Sequence, residues 1–336
     1  MSHQIRRGVS LYSFQDDTFQ RRMTLEDCIR TCAEIGATGI EVVGEQTFTG
    51  WPECGMPEAE IAHWHALMER YGTHPVCHDF MLDYKRYKGR VMPFDEQVAS
   101  VKRDIDFGAR LGAPFVRSLV SVQPEVLVAC AGYAEDRNIT ILLEVHAPLH
   151  FDHPWIIRHA EAYERSGSRA LGFLPDMGMF LHRFPRVWKD RFVRNGVPQH
   201  IADYVEKAYE DRTLSEYVLL DVQQMGGTGP AVAMAETLRH NAAFEPRRML
   251  EFMPRIHNIH AKFYEMTEDD REYSIPYDEI VAVLRQGGYE GHICSEYEGN
   301  RWVEDVGPVR SVEQVRRQHR MLCRLLDEPI PAALRA

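Results

Sequence analysis

Apolar stretches of strand length alternate with amphipathic stretches of helical period through most of this 336-residue chain, and eight such strands can be placed. Polar residues interrupt them mainly at their C-terminal ends. Together these observations predict an α/β protein, a (β/α)8 TIM barrel with a long helical insertion between strands 6 and 7. Parallel strands covered on both faces should be nearly continuous in apolar residues, and most of these are. A minimal barrel needs about 250 residues. We therefore take 1–336 as a single barrel domain, with residues 181–254 as the helical insertion within it.

The first strand is expected at 7–14 (RGVSLYSF). A helix at 24–35 follows, with Leu25, Cys28, Ile29 and Cys32 on one stripe and Thr24 as N-cap. The second strand falls at 39–43 (GIEVV), and a helix at 57–71 carries Ile61, Trp64 and Met68. The third strand is 73–80, then a long helix at 94–111, the fourth strand at 113–120 and a helix at 123–136. Residues 139–146 (ITILLEVH) form the most strand-like segment, followed by a helix at 159–166 and the sixth strand at 171–176. About 75 residues then pass without a strand, with helical patterns at 200–209 and 231–244 around a glycine loop at 226–229. Long insertions in βα loops at that face usually build or cover a site. Strands at 255–264 and 292–298, with helices at 276–286 and 311–326, complete the cycle, and 327–336 reads as a loosely held tail.

Composition removes several function classes. The 39 basic and 50 acidic residues give a net charge of −11. That balance argues against nucleic acid and membrane surfaces, whose recognition depends on Lys and Arg. No apolar run approaches membrane-spanning length, and the opening MSHQIRRGVSLYSF has no signal-peptide pattern, so a cytoplasmic protein is expected. The seven cysteines, at 28, 32, 54, 77, 130, 294 and 323, are odd in number and include no CxxC pair. No disulfide framework is expected, and Cys28 and Cys32 read as small core residues.

In such barrels the reacting groups come from the C-terminal ends of several strands. Here the fifth strand offers Glu144 and His146, the sixth Asp176, the seventh His257, His260 and Lys262, and the eighth Glu296 and Glu298. The third adds His78 and Asp79, the fourth Arg117 and the second Glu41. Carboxylates converging on one barrel mouth require a cation to offset their repulsion. Glu144, Asp176, His260 and Glu296 make a set of oxygen donors with one imidazole. That set favours one divalent metal, Mn²⁺ first with Mg²⁺ or Co²⁺ also suited, over a thiolate-type zinc site.

Glu144 in LLEVHAP, Asp176 in GFLPDMG, His260 in IHNIHAKF and Glu296 in GGYEGHICSEYEG resemble the four metal ligands of the xylose-isomerase-like sugar isomerase and epimerase superfamily. The spacing from Gly288 to Glu296 is the most specific match. Within that superfamily the chain looks closest to the α subunit of the C-glycoside deglycosidases, through its EVHAP segment, its length and the helical stretch before the seventh strand. The resemblance implies a 3-oxo-glycoside substrate, cleavage of the carbon–carbon bond to an aromatic aglycone, and a small β subunit as partner. A ketone at sugar C3 acidifies the C2 proton, and its loss lets the C1 substituent leave by β-elimination, with the metal as Lewis acid.

His146 is our choice of base. His78, Asp79 and Arg117 are candidates to hold sugar hydroxyls, and Glu298 to orient a ligand. Trp302 and Phe180 are candidates to stack on a flat aglycone, and His257 reads as structural. Many sugar 3-epimerases of the superfamily have Asp-x-x-His after the sixth strand, where this chain has Met179. The alternatives are a sugar isomerase or epimerase using Glu144 and Glu296 as acid and base, and a non-catalytic barrel acting only as a partner subunit. The net charge of −11 excludes the DNA-repair branch of the superfamily.

Overall fold

The computed structural model describes residues 5–53, 55–240 and 244–335; Cys54 and the stretch 241–243 of the helix expected at 231–244 lie outside them. Eight strands pair in parallel: β1 (Arg6–Ser10), β2 (Gly39–Val43), β3 (His74–Phe80), β4 (Phe115–Ser118), β5 (Thr140–Val145), β6 (Leu171–Pro175), β7 (Asn258–Phe263) and β8 (His292–Tyr297). Their order is β6-β5-β4-β3-β2-β1-β8-β7. Parallel bridges Phe173–Ile256 and Asp176–His260 bring β6 and β7 together, so the sheet closes nearly into a barrel. All eight expected strands stand; β2 keeps its expected bounds, β1 starts one residue earlier, and the others are trimmed at one or both ends.

The outer layer holds α1 (Leu25–Glu34), α2 (Glu58–Tyr71), α3 (Phe94–Leu111), α4 (Pro124–Glu135), α5 (Pro154–Ser166), α6 (Arg186–Arg194), α7 (Gln199–Glu210), α8 (Ser215–Gln224), α9 (Gly229–His240), α10 (Tyr277–Gln286) and α11 (Ser311–Leu325). Thr24 caps α1 in a reciprocal box with Asp27, each side chain accepting from the other's backbone N–H. Gly112, at φ 78°, ends α3 in the left-handed conformation that a residue without Cβ adopts most easily. Cys28, Cys32 and Ile29 are buried. Among the described residues no helix is long and apolar enough to cross a membrane.

Several boundaries differ from expectation for local reasons. The first strand ends at Ser10, and Leu11–Phe14 turn as a 3₁₀ helix that swings Tyr12 over the barrel. α5 begins at Pro154 rather than at 159, because Pro154 suits the first helical position and the His153 ring accepts from Trp155 N–H. Among the described residues, four α-helices, α6 to α9, run between β6 and β7; of these, α7 and α9 match helical patterns read from the sequence. The tail is not loose. Glu328 pairs with buried Arg7 at 2.6 Å, and Leu334 is buried.

Inside the barrel, Cys77, Leu142, Leu174 and Cys294 form an apolar cluster on β3, β5, β6 and β8. Two residues further along the same strands stand Asp79, Glu144, Asp176 and Glu296. Side chains alternate along a strand, so these residues share the inward face with the apolar ones and form the next layer toward the C-terminal mouth.

Candidate metal centre

Ligand atoms of Glu144, Asp176, His260 and Glu296 lie within 4.8 Å of one another, all four residues being buried. β5 and β8 deliver the two glutamates. Asp176 follows β6 directly and accepts from Gly178 N–H at 2.6 Å, which fixes its turn. His260 stands in the middle. Its Nδ1 lies 2.9 Å from Glu144 Oε1 and 3.3 Å from Glu296 Oε2, while Nε2 lies 2.7 Å from Glu41 Oε1. Glu41 is itself held by Asn258 Nδ2, which donates at 2.5 Å. A carboxylate on the far nitrogen orients the ring and points Nδ1 at the other acids.

Two permanent cations share this layer. The Arg117 guanidinium sits 3.1 Å from Asp79 and 3.5 Å from Glu144. The Lys262 ammonium touches Asp176 at 3.0 Å, Glu296 at 2.9 Å and Glu298 at 3.2 Å. Arg301 sits 3.6 Å from Glu298, so six carboxylates, Glu41, Asp79, Glu144, Asp176, Glu296 and Glu298, face three permanent cations, three short of balance.

Titration follows that imbalance. Burial pushes the Asp176 carboxyl up to about 6 despite Lys262, and burial also pushes Asp79 well above the carboxylate range despite Arg117. Burial would raise Glu144 and Glu296 too. Arg117 and His260 overcome it at Glu144, and His260 with Lys262 at Glu296, so both stay below the usual range. Burial would depress His260, but Glu296, Glu41 and Glu144 push it well above its ordinary value. The donor set, its unbalanced charge and the orientation of Nδ1 fit a hard or borderline divalent cation.

A cavity of about 410 Å³ opens over this layer at the C-terminal mouth and is lined by all of these groups except Asp79, His260 and Glu41. His146 lines it from the end of β5. Its Nδ1 lies 2.6 Å from the Ala147 carbonyl oxygen, which can only accept. Nδ1 therefore carries a hydrogen, so in the neutral ring the lone pair is on Nε2. Tyr12 reaches the cavity from the turn after β1 and donates to Glu298 Oε1 at 3.1 Å; burial and Glu298 push its phenol up to about 12. Arg301 hydrogen-bonds the same hydroxyl.

The structure also separates some residues that the sequence grouped. His78 is not at the cavity. It points out of the barrel to Asp104 of α3 at 3.1 Å and packs against Phe107, because adjacent strand residues face opposite ways and Asp79 takes the inward position. Asp79 lies in the charged layer but behind Arg117, which does line the cavity. Glu298 reaches the cavity rim. Phe180 is buried away from the cavity, whereas Trp302 lines it against Trp188 of α6. His257 lies before β7, stacked on Phe115 near the opposite end of the barrel. Glu41 and Lys262 stood among the strand-end residues without an assigned role. Tyr12 fell within the strand expected at 7–14 and drew no functional reading, because the strand ends at Ser10 and a 3₁₀ turn carries it to the cavity, while Trp188 lies on no strand.

Known proteins place these features in a family. The chain is 28% identical over 338 residues to the 3'-dehydrocarminate deglycosidase alpha subunit of Microbacterium sp, with 96% of each chain covered. It is 27% identical to a C-glycoside deglycosidase alpha subunit of Arthrobacter globiformis, covering 93% of this chain and 89% of the relative. The same fold occurs in a sugar phosphate isomerase/epimerase from Parabacteroides distasonis (TM-score 0.56, 13% identity, 98% and 96% coverage). It occurs again in an L-ribulose 3-epimerase (TM-score 0.58, 10% identity, 96% and 95% coverage). Residues 29–325 match the family model described as Xylose isomerase-like TIM barrel, and the chain belongs to that family.

Proposed function

We propose that this chain is the catalytic α subunit of a metal-dependent C-glycoside deglycosidase, a carbon–carbon lyase acting on 3-oxo-C-glycosides. The observation that carries this reading is that His146, its Nε2 free of the Ala147 contact, lines one cavity with Glu144, Asp176 and Glu296, with His260 completing the buried set behind them. Relatives with deglycosidase alpha subunit names, matched over nearly the whole length of both chains, support it. We take 1–336 as one catalytic domain with 181–254 as its insertion, a small β subunit as partner, and the cytoplasm as compartment. Six cysteines that are free and buried suit a reducing compartment.

Glu144, Asp176, Glu296 and His260 would hold one divalent cation, Mn²⁺ in our assignment. When bound, such an ion supplies Lewis acidity for the negative charge that develops beside the C3 ketone. His146 Nε2 removes the C2 proton. The electron pair left at C2 forms a C1–C2 double bond, the bond from C1 to the aryl carbon breaks, and that carbon takes up a proton. Nothing else is consumed, so the products are an unsaturated 3-keto sugar and the free aglycone. Lys262 and Arg117 hold the acids in place by direct ion pairing, and with His260 they keep Glu296 and Glu144 ionised against burial. Met179, where epimerases of the superfamily carry His, is fully buried and does not line the cavity, which disfavours the epimerase alternative.

The test is aglycone release from a 3-oxo-C-glycoside by the purified chain with its β subunit. We expect release that stops with chelator, returns with Mn²⁺, and falls at least a hundredfold in His146→Ala, the usual scale for a general base. Full activity in His146→Ala would sink this mechanism.

A further inference from the structure

Cleavage at C1 makes a demand that His146 does not meet: the aryl carbon must gain a proton as it departs. Base and acid then have to stand on different sides of the sugar, one at C2 and one at the C1 substituent. β1 and β5 lie four strands apart in the order of eight, so the chain leaving β1 faces His146 across the mouth. That chain is the 3₁₀ turn Leu11–Phe14, in which Leu11, Ser13 and Phe14 are buried and Tyr12 lines the cavity. The turn is stitched to β8. The Ser13 hydroxyl donates to the Ser295 carbonyl at 3.0 Å and accepts from the Tyr297 N–H at 3.0 Å.

The Tyr12 phenol can give a proton and has a cation ready for the charge left behind. Its hydroxyl donates to Glu298 Oε1 at 3.1 Å, while Lys262 holds Glu298 Oε2 at 3.2 Å. The Arg301 guanidinium donates to the phenol oxygen. With the phenol pushed up to about 12, its proton is present throughout the neutral range. The hydrogen turns about the C–O bond from Glu298 to a ligand without any movement of the ring. Other groups of the cavity suit the role less. Arg117 and Arg301 do not release protons, and Lys262 is held by three carboxylates. Of the two phenols there, Tyr12 and Tyr264, Tyr12 is the one with an arginine on its oxygen among the described residues.

We infer that Tyr12 is the general acid of the reaction and gives its phenolic proton to the aryl carbon as the C1 bond breaks, a role that rests on the proposed deglycosidase reading. The Tyr12 O–H bond and the C1–aryl bond break, and an aryl C–H bond forms with the electron pair of the C1–aryl bond. The O–H pair stays on Tyr12 as a phenolate beside Arg301. The proton that His146 took from C2 returns to Tyr12 through water, so nothing else is consumed.

Release rates from two substrates, measured on the full chain with its β subunit, test this role. The 3-oxo form of C-glucosylphloroglucinol needs a proton on its leaving carbon. The 3-oxo form of 4-nitrophenyl glucoside expels a stable nitrophenolate, which needs none. We expect Tyr12→Phe to lower kcat for the first at least a hundredfold with little change in KM, and to lower it for the second only a few-fold. His146→Ala should lose both. Circular dichroism checks that both variants are folded. Equal losses on the two substrates, or no loss on the first, overturn the role of Tyr12 and leave the deglycosidase reading standing. An unaltered chain that releases no phloroglucinol removes that reading, and the role of Tyr12 with it.

Discussion

Two successive layers inside this barrel are made by the same strands and could hardly differ more. The lower one, Cys77, Leu142, Leu174 and Cys294, is apolar and packed. The upper one, two residues on, is Asp79, Glu144, Asp176 and Glu296 with Arg117, His260 and Lys262 among them. The lower layer follows the ordinary rule for barrel interiors, in which branched and small apolar side chains fill the space. The upper layer breaks that rule at the same depth of burial. Buried ion pairs seldom repay their desolvation, so stability alone does not account for the upper layer, and the metal site proposed above does.

That contrast can be broken from either side. Glu296→Gln should have the largest effect, removing aglycone release by on the order of a thousandfold, since metal assistance is worth several kcal/mol. The melting temperature of the metal-free protein should fall, because Glu296 pairs with Lys262 at 2.9 Å and lies 3.3 Å from His260, and Gln leaves both short of a counter-charge. Leu142→Ala in the lower layer should cost about 2–5 kcal/mol of stability, but with metal stoichiometry retained in the folded fraction. Denaturant unfolding and elemental analysis on both variants separate the two layers. Glu41→Gln should be milder, weakening metal affinity roughly 10–100-fold by loosening the His260 ring, which a competition titration reads.

Glu272 provides the internal control. It is buried like the upper-layer acids, yet it has backbone and hydroxyl donors in place of cations: Ser274 N–H at 2.5 Å, Ser274 Oγ at 2.8 Å, Tyr264 N–H at 3.4 Å, and Ile275 N–H. Burial still pushes it up to about 7 from its ordinary 4.5. The folded chain therefore binds this proton more tightly than the unfolded chain does. Its contribution to stability is full below pH 4.5 and is lost as pH rises to about 7. Melting temperatures of the parent and Glu272→Gln, compared across that range, should differ by a slope that flattens above pH 7.

The upper layer was legible in the sequence because apolar strands make their polar exceptions conspicuous: Glu144 after ILL, Asp176 after GFLP, and Glu296 after HICS stand out by position alone. Parity was the underused signal. His78 and Asp79 are neighbours on one strand and could not both face inward, so one of them had to leave the site. Lys262 shares the parity of His260 and was visible, but its contact with three carboxylates depends on how β6, β7 and β8 meet. Tyr12 was missed because the first strand reads through to Phe14 in sequence but breaks into a 3₁₀ turn after Ser10, and Trp188 because an off-sheet helix carries it. α6 and α8 were missed for a related reason. RVWKDRFVR and SEYVLLDVQQ are short, one is densely charged, and their helicity is settled by packing on neighbouring helices.

The central claim, that the upper layer exists to hold one divalent cation, is tested most directly by titrating Mn²⁺ into chelator-treated full-length protein and following the heat. The account predicts a single saturable site per chain that disappears in the double variant Glu144→Gln/Glu296→Gln. Saturable binding that survives in that variant, or no binding by the parent chain, would contradict it.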